Sequence, residues 1–235
     1  GSLEVFTAVD LAIDRGFSTL AIYTRSRGAY VWPLPRAASQ PNLTGLWAAP
    51  GEDGWGLSLA HQGEVLFPAW YTYDASGRPA WYLVSGASRQ GDGSYLGDLY
   101  RFEGTPYSAI NGSTANQPGN VVGSARFTLQ DNGRLRFAYT LDGVSQTRTL
   151  DRVAAGPIPA CVFTSGSRAG ARNHSDIWWN PSESGWGLHL IESEGRIFAA
   201  WYTYAADGKP MWVTALLTRQ SDGRYSGALN RPQSG

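Results

Sequence analysis

Apolar and polar side chains alternate along most of this chain, and the alternation is broken at regular intervals by turn residues. Glu64–Tyr73 is the strongest case. Val65, Phe67, Ala69, Tyr71 and Tyr73 fall on one face of an extended strand, and Leu66, Trp70 and Thr72 on the other. Asp74-Ala-Ser-Gly77 then reads as a hairpin turn, with Gly77 suited to the left-handed residue of a bulged loop. Pro79 opens the return strand, where its missing N–H is tolerated. The same reading gives strands over Leu43–Trp47, Gly56–Gln62, Glu64–Tyr73, Pro79–Arg89, Tyr95–Arg101, Val121–Gln130, Arg134–Leu141 and Val144–Arg152. A polar loop, Phe102–Asn120, divides the fifth from the sixth, and no part of this stretch reads as a helix. Eight sequential antiparallel strands are enough to close a barrel, which removes exposed sheet edges.

The pattern then recurs. Gly54–Trp81 returns as Gly185–Trp212 without a gap, keeping the Gly-Trp-Gly opening, an Ala-Trp-Tyr-Thr-Tyr core and a Gly-basic-Pro-x-Trp ending. The second copy, Asp176–Arg231, supplies only the first five strands, and an open five-stranded sheet would leave apolar edges. Near the N-terminus, Glu4–Ile13, Phe17–Thr24 and Ala29–Arg36 read as strand, turn, strand, turn, strand. They match Ala125–Arg152 in pattern: Asp14-Arg-Gly16 falls on Asp131-Asn-Gly133, and Arg36 lands near Arg152. The expected fold is therefore all-β, two antiparallel eight-stranded up-and-down barrels, the second completed by the N-terminal strands. Residues 41–154 make the complete barrel, 3–36 plus 173–235 the split one, and 155–172 a linker. The alternative is that residues 3–36 form a separate hairpin or a helix, the latter opposed by Gly16.

Composition narrows the function classes. The 235 residues carry 19 basic and 19 acidic side chains, a formal net charge of zero, which argues against nucleic-acid binding. Abundant Gly, Trp and Tyr favour β-structure with many turns. Cys161 is the single cysteine, so no internal disulfide is possible. No apolar run is long enough for a membrane helix, and no signal peptide is visible behind the opening Gly-Ser.

Gly45-Leu46-Trp47 on the first strand of an eight-strand series resembles the opening of the calycin group, the lipocalin and avidin-like barrels. In those folds a basic residue from the last strand packs over the Trp, and the resemblance offers Arg148 or Arg152 for that part. The second copy departs from it, with Asp176-Ile-Trp178 in place of the glycine motif, and no biotin-site residues carry over. Asn180-Pro-Ser-Glu-Ser-Gly-Trp-Gly187 followed by Trp-Tyr-Thr-Tyr resembles a repeat that recurs in exported proteins of proteobacteria. The first copy, Ala49-Pro-Gly-Glu-Asp-Gly-Trp-Gly56, lacks its Asn. That resemblance implies a secreted or cell-surface bacterial setting and brings no activity with it.

Candidate chemistry is sparse. His61 aligns with Glu192 and His189 with Ser58, so neither histidine is kept between copies, and His174 precedes the second repeat. There is no nucleophile elbow, phosphate loop or Cys/His metal spacing, so neither cofactor nor metal is expected. Asp92 and Asp222 are kept, but turn chemistry accounts for both. Glu52 and Glu183, also kept, sit just before Gly-Trp-Gly at a barrel mouth. Each either anchors a ligand or acts as a general acid/base, or else caps turn amides or holds a neighbouring indole N–H. The kept aromatics Trp55, Trp70, Tyr71, Tyr73 and Trp81, with Trp186, Trp201, Tyr202, Tyr204 and Trp212, either fill the core, line a ligand site or join one barrel to another.

These residues lead first to a non-enzymatic binding module holding a small amphiphile or glycan at aromatic-lined mouths. The alternative is a structural or adhesion repeat with solid barrels. Third comes a glycan hydrolase using Glu52 or Glu183, which lacks the kept partner acid such chemistry needs. Self-association by strand exchange is the partner reading that the split repeat adds.

Overall fold

In a computed structural model the described residues are 8–13, 19–24, 28–33, 41–113, 119–153, 174–193 and 195–232. Among them there is no α-helix, and the two short 3-10 turns are Tyr107–Ala109 and Pro181–Glu183. The chain divides into two units, Gly1–Asn42 and Leu43–Gly235.

The first unit is a meander of β1 (Ala8–Ile13), β2 (Thr19–Thr24) and β3 (Gly28–Pro33). The strands pair antiparallel in sequential order, Ile13 opposite Leu20 and Thr24 opposite Gly28. The described residues are thus strands, as the alternation implies, and a helix is set aside for them. Arg36 and the 155–172 segment lie outside the described residues.

The second unit opens with the complete barrel. Its strands are β4 (Gly45–Ala48), β5 (Gly56–Gln62), β6 (Val65–Tyr73), β7 (Pro79–Val84), β8 (Ala87–Arg89), β9 (Tyr95–Arg101), β10 (Asn120–Leu129), β11 (Leu135–Leu141) and β12 (Val144–Val153). Antiparallel pairing runs β4-β5-β6-β7-β9-β10-β11-β12 and returns to β4, where Arg152 lies opposite Trp47. That is a closed eight-stranded barrel. The expected strand Pro79–Arg89 is broken at Gly86, whose φ of 91° is left-handed, and the remainder, β8, patches β6 to β9. The inward parity of each strand fills the middle of the barrel: Leu57, Leu59, Leu66, Leu99, Phe127, Leu135, Phe137 and Leu150 are all fully buried. Phe127 stacks on Phe137 at 5.3 Å.

The Gly-Trp-Gly opening has a steric reason. Gly54 and Gly185 adopt φ of 92° and 122°, which L side chains disfavour. At Gly56 and Gly187 an added Cβ would come within 3.1 and 3.0 Å of the carbonyl oxygens of Trp47 and Trp178.

The second repeat forms an open sheet of β13 (Asp176–Trp178), β14 (Gly187–Ser193), β15 (Arg196–Tyr204), β16 (Pro210–Arg219) and β17 (Tyr225–Ser226), paired in that order. Among the described residues β1–β3 and β13–β17 pair as separate sheets, and one closed barrel is shown. Sequence pattern specifies that strands exist and which face is apolar, but edge pairing depends on registers that the pattern leaves free.

Candidate functional site at the barrel mouth

The two repeats meet through the outward faces of their central hairpins. Trp81 donates its indole N–H to the Thr203 carbonyl at 3.0 Å, and Trp212 donates to the Thr72 carbonyl at 3.1 Å. Trp81 matches Trp212 in the repeat and Thr72 matches Thr203, so the contact is reciprocal, as across a two-fold axis. Tyr71 packs on Trp212 at 5.8 Å, and Tyr202 on Trp81 at 5.3 Å. Tyr73 and Tyr204 repeat the arrangement at 6.1 and 5.8 Å, and Ala69 and Ala200 close the centre of the cluster. Burial pushes the Tyr202 and Tyr204 hydroxyls well above their ordinary range and leaves them neutral. Six of the candidate aromatics, Tyr71, Tyr73, Trp81, Tyr202, Tyr204 and Trp212, therefore join repeat to repeat.

The remaining candidates lie on the inward faces. Trp55 meets Trp70 edge-on at 6.4 Å, and Trp186 meets Trp201 edge-on at 6.3 Å, the same pair in each copy. The indole nitrogens of Trp70, Trp186 and Trp201 are buried without a hydrogen-bond partner. Glu52 accepts from the Trp55 indole and from Arg148, both at 3.2 Å, the indole-holding role that needs no ligand. Glu183 accepts from the Asn180 side chain at 3.1 Å, within the turn that Asn180 caps.

The histidines are structural. His61 accepts at Nδ1 from the Leu43 amide at 3.1 Å, and its Nε2 meets the Tyr95 hydroxyl at 2.9 Å. Burial lowers its pKa. In the second repeat Glu192 takes the same place, accepting from the His174 amide at 2.9 Å and from the Tyr225 hydroxyl at 2.7 Å. The position thus keeps its acceptor role while the residue type changes.

One end of the closed barrel faces an open cleft that it shares with the second repeat. Its mouth opens into a cavity of about 1350 Å³, whose lining includes Trp70, Tyr82, Tyr139, Arg101, Asp142 and Gln146. Trp70 packs on Tyr82 at 5.4 Å and on Tyr139 at 4.5 Å, forming an aromatic floor. Arg101 is ion-paired with Asp142 and lies 5.6 Å from the centre of the Tyr82 ring. The far wall comes from the second repeat, where Asp207 pairs with Arg78 at 3.5 Å and Lys209 pairs with Glu103. Of the sequence candidates, Trp70, Tyr73 and Trp81 line this cavity. Tyr82, Arg101, Tyr139, Asp142 and Gln146 are newly placed there by the structure. A filter for residues kept in both copies discards all of these but Arg101, which recurs as Arg231: Tyr82 aligns with Val213, and Tyr139, Asp142 and Gln146 lie in the half that the second copy lacks. Strand parity was the available signal, since Tyr139 follows Leu135 and Phe137 on the inward face.

Among the described residues no cluster of side chains has metal-binding geometry. The fold and site define an eight-stranded antiparallel barrel with an aromatic-floored mouth, fused back to back to a partial copy of itself. No protein-family model, curated protein or solved structure matches the chain.

Proposed function

We propose that the chain is a non-enzymatic binding module, and that the mouth of its closed barrel holds a saccharide or a small amphiphile. The observation that carries this is the cavity of about 1350 Å³ floored by Trp70, Tyr82 and Tyr139. An aromatic floor beneath a polar rim suits a ring whose faces are apolar and whose edge carries hydroxyls. Arg101, Asp142 and Gln146 supply donors and acceptors at that rim. The hydrolase reading gains nothing, because Glu52 and Glu183 are each engaged by neighbouring side chains. A secreted or cell-surface bacterial setting follows from the repeat's resemblance to exported proteins and belongs to the same proposal.

A structural role is the second reading, favoured by the reciprocal Trp81 and Trp212 contacts, which make the repeat motif itself an adhesive face. In that reading β13–β17 are part of a second barrel that three N-terminal strands complete.

Titration of intrinsic tryptophan fluorescence with a panel of neutral and acidic oligosaccharides and a short-chain amphiphile tests the binding reading. Tyr139→Ala and Arg101→Gln are expected to weaken the responding ligand about tenfold each, the loss of one good polar or stacking contact. Trp186→Phe, on the other repeat, is expected to leave affinity unchanged. No response from any of these ligands, or equal losses in all three variants, overturns the proposal.

A further inference from the structure

Each repeat contributes an arginine to the cleft from the same repeat position, and the two are held differently. Tyr225-Ser-Gly-Ala-Leu-Asn-Arg231 repeats Tyr95-Leu-Gly-Asp-Leu-Tyr-Arg101. The bridge between Thr214 and Asn230 reproduces the pairing of Leu83 with Tyr100, which fixes Arg231 as the counterpart of Arg101. Both line the cleft. The Arg101 guanidinium is ion-paired with Asp142 and lies 5.6 Å from the centre of the Tyr82 ring. Arg231 has neither neighbour in its own repeat: Tyr82 aligns with Val213, and the strands that carry Asp142 have no copy there. The N-terminal segment that matches Ala125–Arg152 in pattern has Arg25, a base, at the Asp142 position. Arg231 is exposed and has no ion pair among the described residues. The other charges of the cleft are engaged with one another. Arg78 bridges Asp74 and Asp207 at 3.1 and 3.5 Å, and Lys209 pairs with Glu103. Asp74 also accepts from the Ser76 and Arg78 amides, and Asp207 from the Lys209 amide.

We infer that the cleft takes an acidic oligosaccharide, one built from sugars that bear a carboxylate, and that Arg231 is the residue that selects it. This rests on the binding reading given above and names its ligand class. The first repeat displays the contact within the protein: at the Arg101 position a guanidinium is matched by a carboxylate, that of Asp142. At the Arg231 position the guanidinium is present and the carboxylate is left for the ligand to bring. Arginine suits this part, because its planar fork binds a carboxylate through two parallel N–H bonds. The sugar rings have their place on the Trp70, Tyr82 and Tyr139 floor, across the cleft from the second-repeat wall to which Arg231 belongs. A fatty acid carries the same carboxylate but fits the cleft less well. Its alkyl chain gains only when it is removed from water, and this cleft is open and rimmed by ion pairs.

Fluorescence titration of the full chain with matched pairs of oligosaccharides tests the inference. Each pair is an oligouronate and the same oligomer with its carboxylates reduced to alcohols, and octanoate serves as the amphiphilic carboxylate. The acidic member of the responding pair is expected to bind about tenfold more tightly than the neutral one, and the ratio is expected to shrink as salt is added. Arg231→Gln is expected to bring the ratio to about one, while Trp186→Phe, in the other part of the second repeat, keeps it at about tenfold. Equal affinity within the pair, tighter binding of the neutral member, or a ratio that Arg231→Gln leaves intact overturns the inference and leaves the binding reading standing. Binding of octanoate alone overturns the saccharide assignment. Failure of every pair and of octanoate to bind overturns the binding reading, and this inference with it.

Discussion

Ser58 and His189 hold equivalent positions in the two repeats, and their side chains are hydrogen-bonded to each other inside the inter-repeat face. Neither is more than 1% exposed. A serine and a histidine so placed suggest a nucleophile and its base, but no substrate reaches them. Their bond satisfies the Ser58 hydroxyl and His189 Nδ1 between the repeats, while His189 Nε2 is buried without a hydrogen-bond partner.

A pH dependence follows. Burial lowers the His189 pKa to about 3, against 6.5 for the free side chain. Between those values the unfolded chain binds a proton that the folded chain refuses, so stability rises with pH. The contribution is complete above about pH 6.5 and is lost as pH falls toward 3, amounting to about 2–3 kcal/mol at about pH 4.5. Urea denaturation at neutral pH and near pH 4.5 measures it. His189→Gln, which keeps a hydrogen-bonding side chain and removes the titration, is expected to flatten the difference. A wild-type stability that stays constant over this interval contradicts the buried neutral imidazole.

The reciprocal indole contacts make a second prediction. Trp81→Phe and Trp212→Phe each keep an aromatic ring against the facing tyrosine and lose one N–H to carbonyl bond. Each is expected to cost about 1 kcal/mol, by about the same amount because the environments repeat. Trp81→Ala removes the ring as well and is expected to cost about 3–5 kcal/mol. Chemical denaturation of the three variants checks the ranking. Unequal losses for the two phenylalanine variants would show that the faces are not energetically symmetric.

Much of this fold was legible in the residues. Parity along Glu64–Tyr73 separates Leu66 and Trp70, which face the barrel interior, from Ala69, Tyr71 and Tyr73, which face the other repeat. The calycin-like resemblance left Arg148 and Arg152 open, and geometry divides them: Arg152 covers Trp47 and Arg148 holds Glu52. The mouth was less legible. Comparing copies selects what both repeats need, which is packing and the inter-repeat face. A site built once, from Tyr82 in one hairpin and Tyr139 and Gln146 in the strands present only in the first repeat, leaves no trace in that comparison. Nor does alternation show that β13–β17 stay open, since their apolar periodicity matches that of the closed copy.

Gly123 carries the closure of the barrel, and one substitution there tests the topology. At this residue the pairing of β10 with β9 shifts register, Val121 opposite Tyr100 and Gly123 opposite Leu99. The shift presses the backbone of β10 against β11: a Cβ on Gly123 would lie 1.7 Å from the Thr140 carbonyl oxygen. Backbone cannot yield as a flexible side chain does, so Gly123→Ala forces β10 and β11 apart where the strand series turns back toward β4. The expected cost is about 3 kcal/mol, with faster amide exchange in β9, β10 and β11. Gly91→Ala is the control, because nothing lies within 4 Å of its Cβ and its backbone needs no left-handed angle. A barrel that accepts Gly123→Ala as readily as Gly91→Ala does not close through β9, β10 and β11 in this register.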